Sequence, residues 1–130
     1  MNVGWNSIDF GNLNPNTPGS SNPAPGNSNL LYNLTNTGTC NETLWIKGTD
    51  IKNLTLPSPN TIGVGNLTWS NSTNDYSNSY PMTYDYSLLY LNLTPYSILT
   101  TYYWLAVPPV YAGKYEGNLT IEWNTTQQTG

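Results

Sequence analysis

From Lys114 to Asn124 apolar and polar residues alternate without a break. Tyr115, Gly117, Leu119, Ile121 and Trp123 fall on one side, and Lys114, Glu116, Asn118, Thr120, Glu122 and Asn124 on the other. A side-chain period of two belongs to a strand, so one face of this segment is expected to meet a core and the other water. Nowhere do apolar residues recur at i, i+3, i+4, i+7 over three turns, and 11 Gly and 10 Pro interrupt the long windows. The pieces between these breaks are short, β-branched and aromatic, which reads as strands throughout.

Leu30, Tyr32 and Leu34 form one inward row, Leu44 and Ile46 a second, Leu67 and Trp69 a third, and Leu89, Leu91 and Leu93 a fourth. Thr100 to Val107 is apolar on both faces and is expected to lie centrally in a sheet. Turn signals separate these runs at Thr37-Gly38, Gly48 to Asp50, Pro57 to Asn60, Asn71 to Asn78 and Ala112-Gly113. About seven short strands spaced this way imply an all-β, antiparallel β-sandwich.

The beginning of the chain is different. Val3 to Phe10 reads as a strand whose alternation shifts between Trp5 and Ile8. Gly11 to Asn29 then holds six Asn, four Pro, three Gly and three Ser in nineteen residues. Such a stretch is expected neither to enter a core nor to donate a regular ladder, and fully extended it spans at most about 60 Å. The expected organisation is therefore a first strand plus linker over 1–29, a sandwich domain over 30–126 and a disordered tail over 127–130. With its own linker, the first strand is separable, and Val3, Trp5, Ile8 and Phe10 are the candidate subunit-contact residues.

Composition narrows the function. Charged residues make up 8% of the chain, against about 25% in an ordinary domain. The cations are Lys47, Lys52 and Lys114, with no Arg and no His. Three scattered lysines cannot neutralise a phosphate backbone, so no nucleic-acid partner is expected. Without histidine there is no Ser-His-Asp triad and no imidazole metal site. A single cysteine, Cys40, excludes an intramolecular disulfide and a thiolate cluster. Asp50, Asp75 and Asp85 lie in turns without the spacing of a calcium loop, and the carboxylates show no glycosidase-like pair. No catalysis, cofactor or metal is expected. No run of 18 apolar residues exists, and no charged segment leads into an apolar stretch, so neither a membrane span nor a signal peptide is expected within this sequence.

Neutral polar residues take the place of the missing charge: Asn, Thr, Ser and Gln supply 51 of 130 residues. Solubility of that kind suits an exterior protein carrying attached sugars. Asn-Leu-Thr occurs at Asn33, Asn53, Asn66, Asn92 and Asn118, where composition alone gives about 0.3 occurrences of this acceptor pattern. Asn41, Asn71 and Asn124 bring the Asn-x-Ser/Thr acceptors to eight. Strand alternation explains part of the excess, because the central Leu points in while Asn and Thr point out. The same outward placement is what a bulky, hydrated N-glycan requires, and Pro95 weakens the acceptor at Asn92.

Five Trp and eleven Tyr admit two uses. Solvent-facing rings would make a stacking platform for carbohydrate, with Trp45 on a polar face between Thr43 and Lys47 and with Tyr102 and Trp104 sharing a face. Packing is the commoner use, and Trp69 and Trp123 fall in apolar rows.

Three stretches resemble immunoglobulin-like domains of archaeal cell-surface and extracellular proteins. Ile8-Asp9-Phe10-Gly11-Asn12-Leu13-Asn14-Pro15 is similar to their I-x-F-G-x-L-x-P-G opening. Leu34-Thr35-Asn36-Thr37-Gly38 is similar to their strand ending in Asn-x-Gly. Tyr102 to Pro108 followed by Ala112 to Ile121 is similar to their closing hairpin. The insertion after Pro15 and the density of Asn-Leu-Thr depart from that pattern. The resemblance implies an immunoglobulin-like sandwich in a surface layer, sheath, adhesin or secreted filament. Some related β-proteins polymerise by lending a terminal strand to the next subunit, which implies self-association here. The expected function is thus an extracellular, glycosylated structural subunit of a filament, sheath or surface coat. A non-catalytic carbohydrate-binding or adhesive module is the alternative, and a viral capsid or decoration protein is a third reading.

Overall fold

The computed structural model describes residues 1–5, 7–24, 32–54, 61–110 and 113–125. Among them it contains eleven β-strands, three short 3-10 turns and no α-helix. The strands are β1 (Asn2–Val3), β2 (Tyr32–Thr35), β3 (Glu42–Gly48), β4 (Ile51–Asn53), β5 (Thr61–Ile62) and β6 (Leu67–Ser70). They continue with β7 (Tyr80–Pro81), β8 (Ser87–Leu93), β9 (Ile98–Leu105), β10 (Tyr115–Glu116) and β11 (Leu119–Thr125). Every pairing is antiparallel. One sheet runs β1-β2-β9-β6-β7, a second runs β11-β3-β8, and a small third runs β10-β4-β5. The fold is all-β, in keeping with a sandwich.

The core is built from the inward rows of the first two sheets: Tyr32 and Leu34 from β2, Leu44 and Ile46 from β3, Trp69 from β6, Leu89 and Leu93 from β8, and Leu99 and Tyr103 from β9. β9 is central as expected, pairing with β2 through Ile98 to Thr101 and with β6 through Tyr102 to Leu105. Its burial on both faces follows: Tyr103 faces the core, while Trp104 is buried on the opposite face with Tyr76 edge-to-face at 6.0 Å.

The structure corrects several expectations. Among the described residues, the strand expected over Val3 to Phe10 pairs only at Asn2↔Thr35 and Val3↔Leu34, with one further bond from the Gly4 amide to the Asn33 carbonyl at 3.1 Å. The phase shift after Trp5 is the reason, because no single strand can point Val3 and Trp5, then Ile8 and Phe10, to one face. The chain abandons the ladder and still part-buries all four residues against the core.

The linker also does more than expected. The β2 ladder is described as far as Tyr32↔Thr101, and beyond it residues 17–24 meet the chain from Tyr103 to Val107. Thr17 exchanges backbone hydrogen bonds with Val107 (2.9 Å each way), the Leu105 amide donates to the Asn22 carbonyl, and the Ala24 amide donates to the Tyr103 carbonyl. Asn22 is buried, and its side-chain amide donates to the Leu105 carbonyl at 2.9 Å and to Thr17 Oγ1 at 2.7 Å. A polar residue enters the interior because its donors are satisfied there. The expected boundary at 29/30 and the tail lie outside the described residues, as do the Pro57 to Asn60 turn and Leu30.

The long closing strand is broken. Tyr115–Glu116 pairs with β4, whereas Leu119–Thr125 pairs with β3, so the chain changes sheets across Gly117-Asn118. A Cβ on Gly117 would lie 2.8 Å from the Asp50 carbonyl oxygen, so this crossing needs a glycine. Trp123 keeps its place in the apolar row but remains 40% exposed.

The Leu89-Leu91-Leu93 row fails for a local reason. The register of β8 against β3 shifts twice, between Glu42 and Leu44 and between Leu44 and Trp45. β8 thus carries two extra residues, and Asn92 adopts φ 58. Leu89 and Leu93 stay buried while Leu91 turns outward, 61% exposed.

Candidate functional site

The N-terminal segment is held by side chains more than by backbone. Trp5 packs edge-to-face on Tyr32 (5.4 Å, 81°) and on Tyr103 (6.0 Å, 65°), and these two tyrosines pack on each other (5.4 Å, 82°). Such aromatic pairs contribute about 0.5–1.5 kcal/mol each beyond burial. Burial pushes the Tyr103 phenol far above its ordinary range, and burial likewise raises Tyr32, so both rings stay neutral at any physiological pH. Trp5 Nε1 is buried without a hydrogen-bond partner among the described residues. The indole is therefore packed into its seat but not fastened there, since an unmet buried donor costs about 1–3 kcal/mol.

Beyond Trp5 the segment roofs a cleft of about 1010 Å³. Ile8, Phe10 and Leu13 face it from the segment, and Ile51, Val110 and Leu119 from the body. The segment turns at Gly11 (φ 72) and Asn16 (φ 57), and becomes firmly laddered only at Thr17. All four residues expected at a subunit contact, Val3, Trp5, Ile8 and Phe10, are thus part-buried against the chain's own core.

The acceptor asparagines do not converge on one place. Asn92, Asn118 and Asn124 are exposed, and Asn33, Asn41, Asn66 and Asn71 are half-buried. Asn33 Oδ1 accepts from Thr100 Oγ1 at 2.7 Å, and the Asn71 side-chain amide donates to the Leu89 carbonyl. In four of the five Asn-Leu-Thr motifs the Leu turns inward: Leu34, Leu67 and Leu93 are buried and Leu119 is half-buried. Asn53-Leu54 is inverted. Leu54 is 53% exposed, Asn53 is buried, and a Cβ on Gly113 would lie 2.5 Å from Asn53 Nδ2. A glycan has no room on that nitrogen in the folded chain.

The acidic turn residues are used locally. Asp50 Oδ1 accepts from the Tyr84 hydroxyl at 2.6 Å and from the Val64 amide at 2.9 Å, and these two bonds, Tyr84 first, lower the Asp50 carboxyl below its ordinary range. Asp75 Oδ1 accepts from the Ser77 amide at 3.1 Å at the start of the 3-10 turn Tyr76–Asn78. On the outer face of β11-β3-β8, Trp45 is half-buried, and Lys47 Nζ sits 4.5 Å over the ring of Tyr86.

The sequence marked Asn36 as a strand end but not the role of its side chain. This residue is fully buried, and its side-chain amide donates to the carbonyls of Cys40 and Leu93 (2.8 Å each) while its Oδ1 accepts from the Gly38 amide at 2.9 Å. The Asn-x-Gly spacing was its signal, because an Asn side chain closes a turn on the amide two residues on. Cys40 itself is exposed. Comparison with protein-family models, with characterised proteins and with solved structures finds no match for this chain.

Proposed function

We propose that this protein is an extracellular, glycosylated structural subunit of a filament, sheath or surface coat. Subunits join by β-strand contacts in which residues 1–13 leave their own seat and enter that of a neighbour. The observation that carries this reading is how the segment is held: two β-paired residues, four apolar anchors and an unfastened indole above an open cleft. The chain is secured to β9 and its continuation at Thr17, Asn22 and Ala24, so the segment can exchange without unravelling the body. Burial of Val3, Trp5, Ile8 and Phe10 contributes several kcal/mol wherever the segment docks, at about 25 cal/mol per Å² of apolar area. Exchange therefore keeps the same side-chain burial while linking two subunits. Deleting residues 1–12 should abolish polymer, seen by light scattering and electron microscopy, while leaving a folded monomer. A truncated chain that polymerises like the full chain contradicts the reading.

Glycans in this reading cover the faces left bare of charge. Glycopeptide mass spectrometry of native material should find hexose-bearing peptides at Asn92, Asn118 or Asn124 and an unmodified Asn53. Unmodified asparagine at every exposed acceptor would leave strand alternation as the whole source of the motif. A carbohydrate-binding or adhesive module is the second reading. It draws on Trp45, Lys47 and Tyr86 sharing one outer face, and predicts saturable polysaccharide binding lost in Trp45→Ala.

A further inference from the structure

The sheet β11-β3-β8 ends in two seven-residue strands, and they are treated very differently. The outer strand β8 is blunted. It carries two register shifts, and the carbonyls of Leu89 and Leu93 accept from the side-chain amides of Asn71 and Asn36. Bulges and occupied backbone groups are how a sheet prevents further pairing. β11 has no such protection among the described residues. It pairs with β3 in unbroken register from Leu119↔Gly48 to Thr125↔Glu42, contains no Pro, and carries Glu122 as its one charge.

The alternation of its backbone groups follows from that register. The Asn118 carbonyl accepts from the Thr49 amide at 2.9 Å, so the even-numbered residues of β11 turn their backbone groups toward β3. The amides and carbonyls of Leu119, Ile121, Trp123 and Thr125 point away from it. On the inward face, Trp123 is 40% exposed although its cross-strand partner Leu44 is fully buried. An apolar row therefore runs along an open edge and is covered by the opposite sheet only in part.

We propose that the free edge of β11 pairs antiparallel with the same edge of a second copy, centred on Ile121. Register and charge select this occupant. With the two-fold axis at Ile121, Ile121 faces its own copy and Leu119 faces Trp123, so the apolar rows continue into each other. On the solvent face Glu122 then meets Thr120 of the other copy. Moving the axis one residue toward Thr125 would set Glu122 against Glu122, and like charges directly opposite destabilise a sheet. Moving it one residue toward Leu119 would set Trp123 against Gly117, outside the strand. The chosen register forms about six backbone hydrogen bonds from groups that point outward in the single chain. The product is a continuous six-stranded sheet, β8-β3-β11 followed by its two-fold image, and it ends on two blunted strands. Closure of that kind limits this contact to a pair of subunits. The pairing rests on the self-assembling reading above and adds a second, lateral contact that does not use residues 1–13.

NMR-detected amide exchange on the full chain tests it, run beside sedimentation at several concentrations. The Thr120, Glu122 and Asn124 amides are expected to be protected at every concentration. Those of Leu119, Ile121 and Trp123 are expected to slow by at least about tenfold only as the dimer mass appears. Trp123→Lys, which puts a charge in the apolar row, should remove both the dimer and that added protection. Glu122→Lys, facing Thr120, should retain them. Unprotected odd-numbered amides in a dimer, protection that does not change with concentration, or a dimer that survives Trp123→Lys would each overturn the pairing. Deletion of residues 1–12 leaves the exchange pattern intact if the pairing holds, so failure of the polymer reading and failure of this one give different results.

Discussion

Asn36→Ala should destabilise the protein by about 3–5 kcal/mol, because it removes the partner of one buried and two part-buried backbone groups at once. The side chain donates to two carbonyls and accepts from one amide, tying the end of β2 to the following turn and to the end of β8. Its backbone adds to the knot: the Asn36 amide donates to the Ser97 carbonyl at 3.0 Å, and the Asn36 carbonyl accepts from the Tyr96 amide at 2.7 Å. Alanine keeps the backbone bonds and leaves the Leu93 and Cys40 carbonyls and the Gly38 amide without the side chain that met them. Against a total stability of about 5–15 kcal/mol for a domain, that loss would bring the chain near its unfolding threshold. Denaturant titration measures it, with Asn12→Ala as the control at an exposed site, where a change within about 0.5 kcal/mol is expected. Equal midpoints for the two variants would remove Asn36 from its role.

Leu89→Ala and Leu91→Ala should differ strongly, although they stand in the same apolar row of the sequence. Leu89 is fully buried, and truncating it costs about 2–5 kcal/mol through lost burial and a residual cavity. Leu91 faces solvent, and its truncation should cost less than about 0.5 kcal/mol. The difference arises entirely from the two register shifts in β8. Comparable losses from the two variants would mean that β8 pairs with β3 without bulges.

These two cases also mark how far the sequence could be read. Strand periodicity located the inward residues of β2, β3 and β6 among the described residues, because burial on one face forces a period of two and each strand is regular there. β9 was legible only as central, since it is apolar on both faces. Periodicity failed in β8, where two inserted residues each reverse the phase and leave no mark in residue type beyond an Asn at a left-handed position. It failed again at Gly117, where alternation continues through a change of sheet. Both errors come from taking alternation as proof of one continuous ladder. The linker was misread because Asn, Pro and Ser were counted as unable to enter a sheet. Asn22 shows the opposite, since its side chain completes hydrogen bonds that a buried aliphatic could not. Of the candidate site, the anchors Val3, Trp5, Ile8 and Phe10 were legible as apolar residues ahead of a weakly apolar stretch. The seat of Trp5 on Tyr32 and Tyr103 was not, because nothing local pairs residue 5 with residues 32 and 103. The acceptor asparagines were legible as motifs, but the inversion at Asn53 depends on Gly113, distant in sequence.

Exchange of the first strand is tested most directly by asking which chain it pairs with in assembled material. Asn2 and Thr35 are opposite each other in the β1–β2 ladder. Asn2→Cys with Thr35→Cys, in a Cys40→Ser background, places two thiols across that pair. Oxidation of the dispersed chain should give an internally closed monomer. Oxidation after assembly should give a ladder of covalent multimers on a non-reducing gel, each junction joining position 2 of one subunit to position 35 of the next. Closed monomers alone, recovered from fully assembled polymer, would contradict the account.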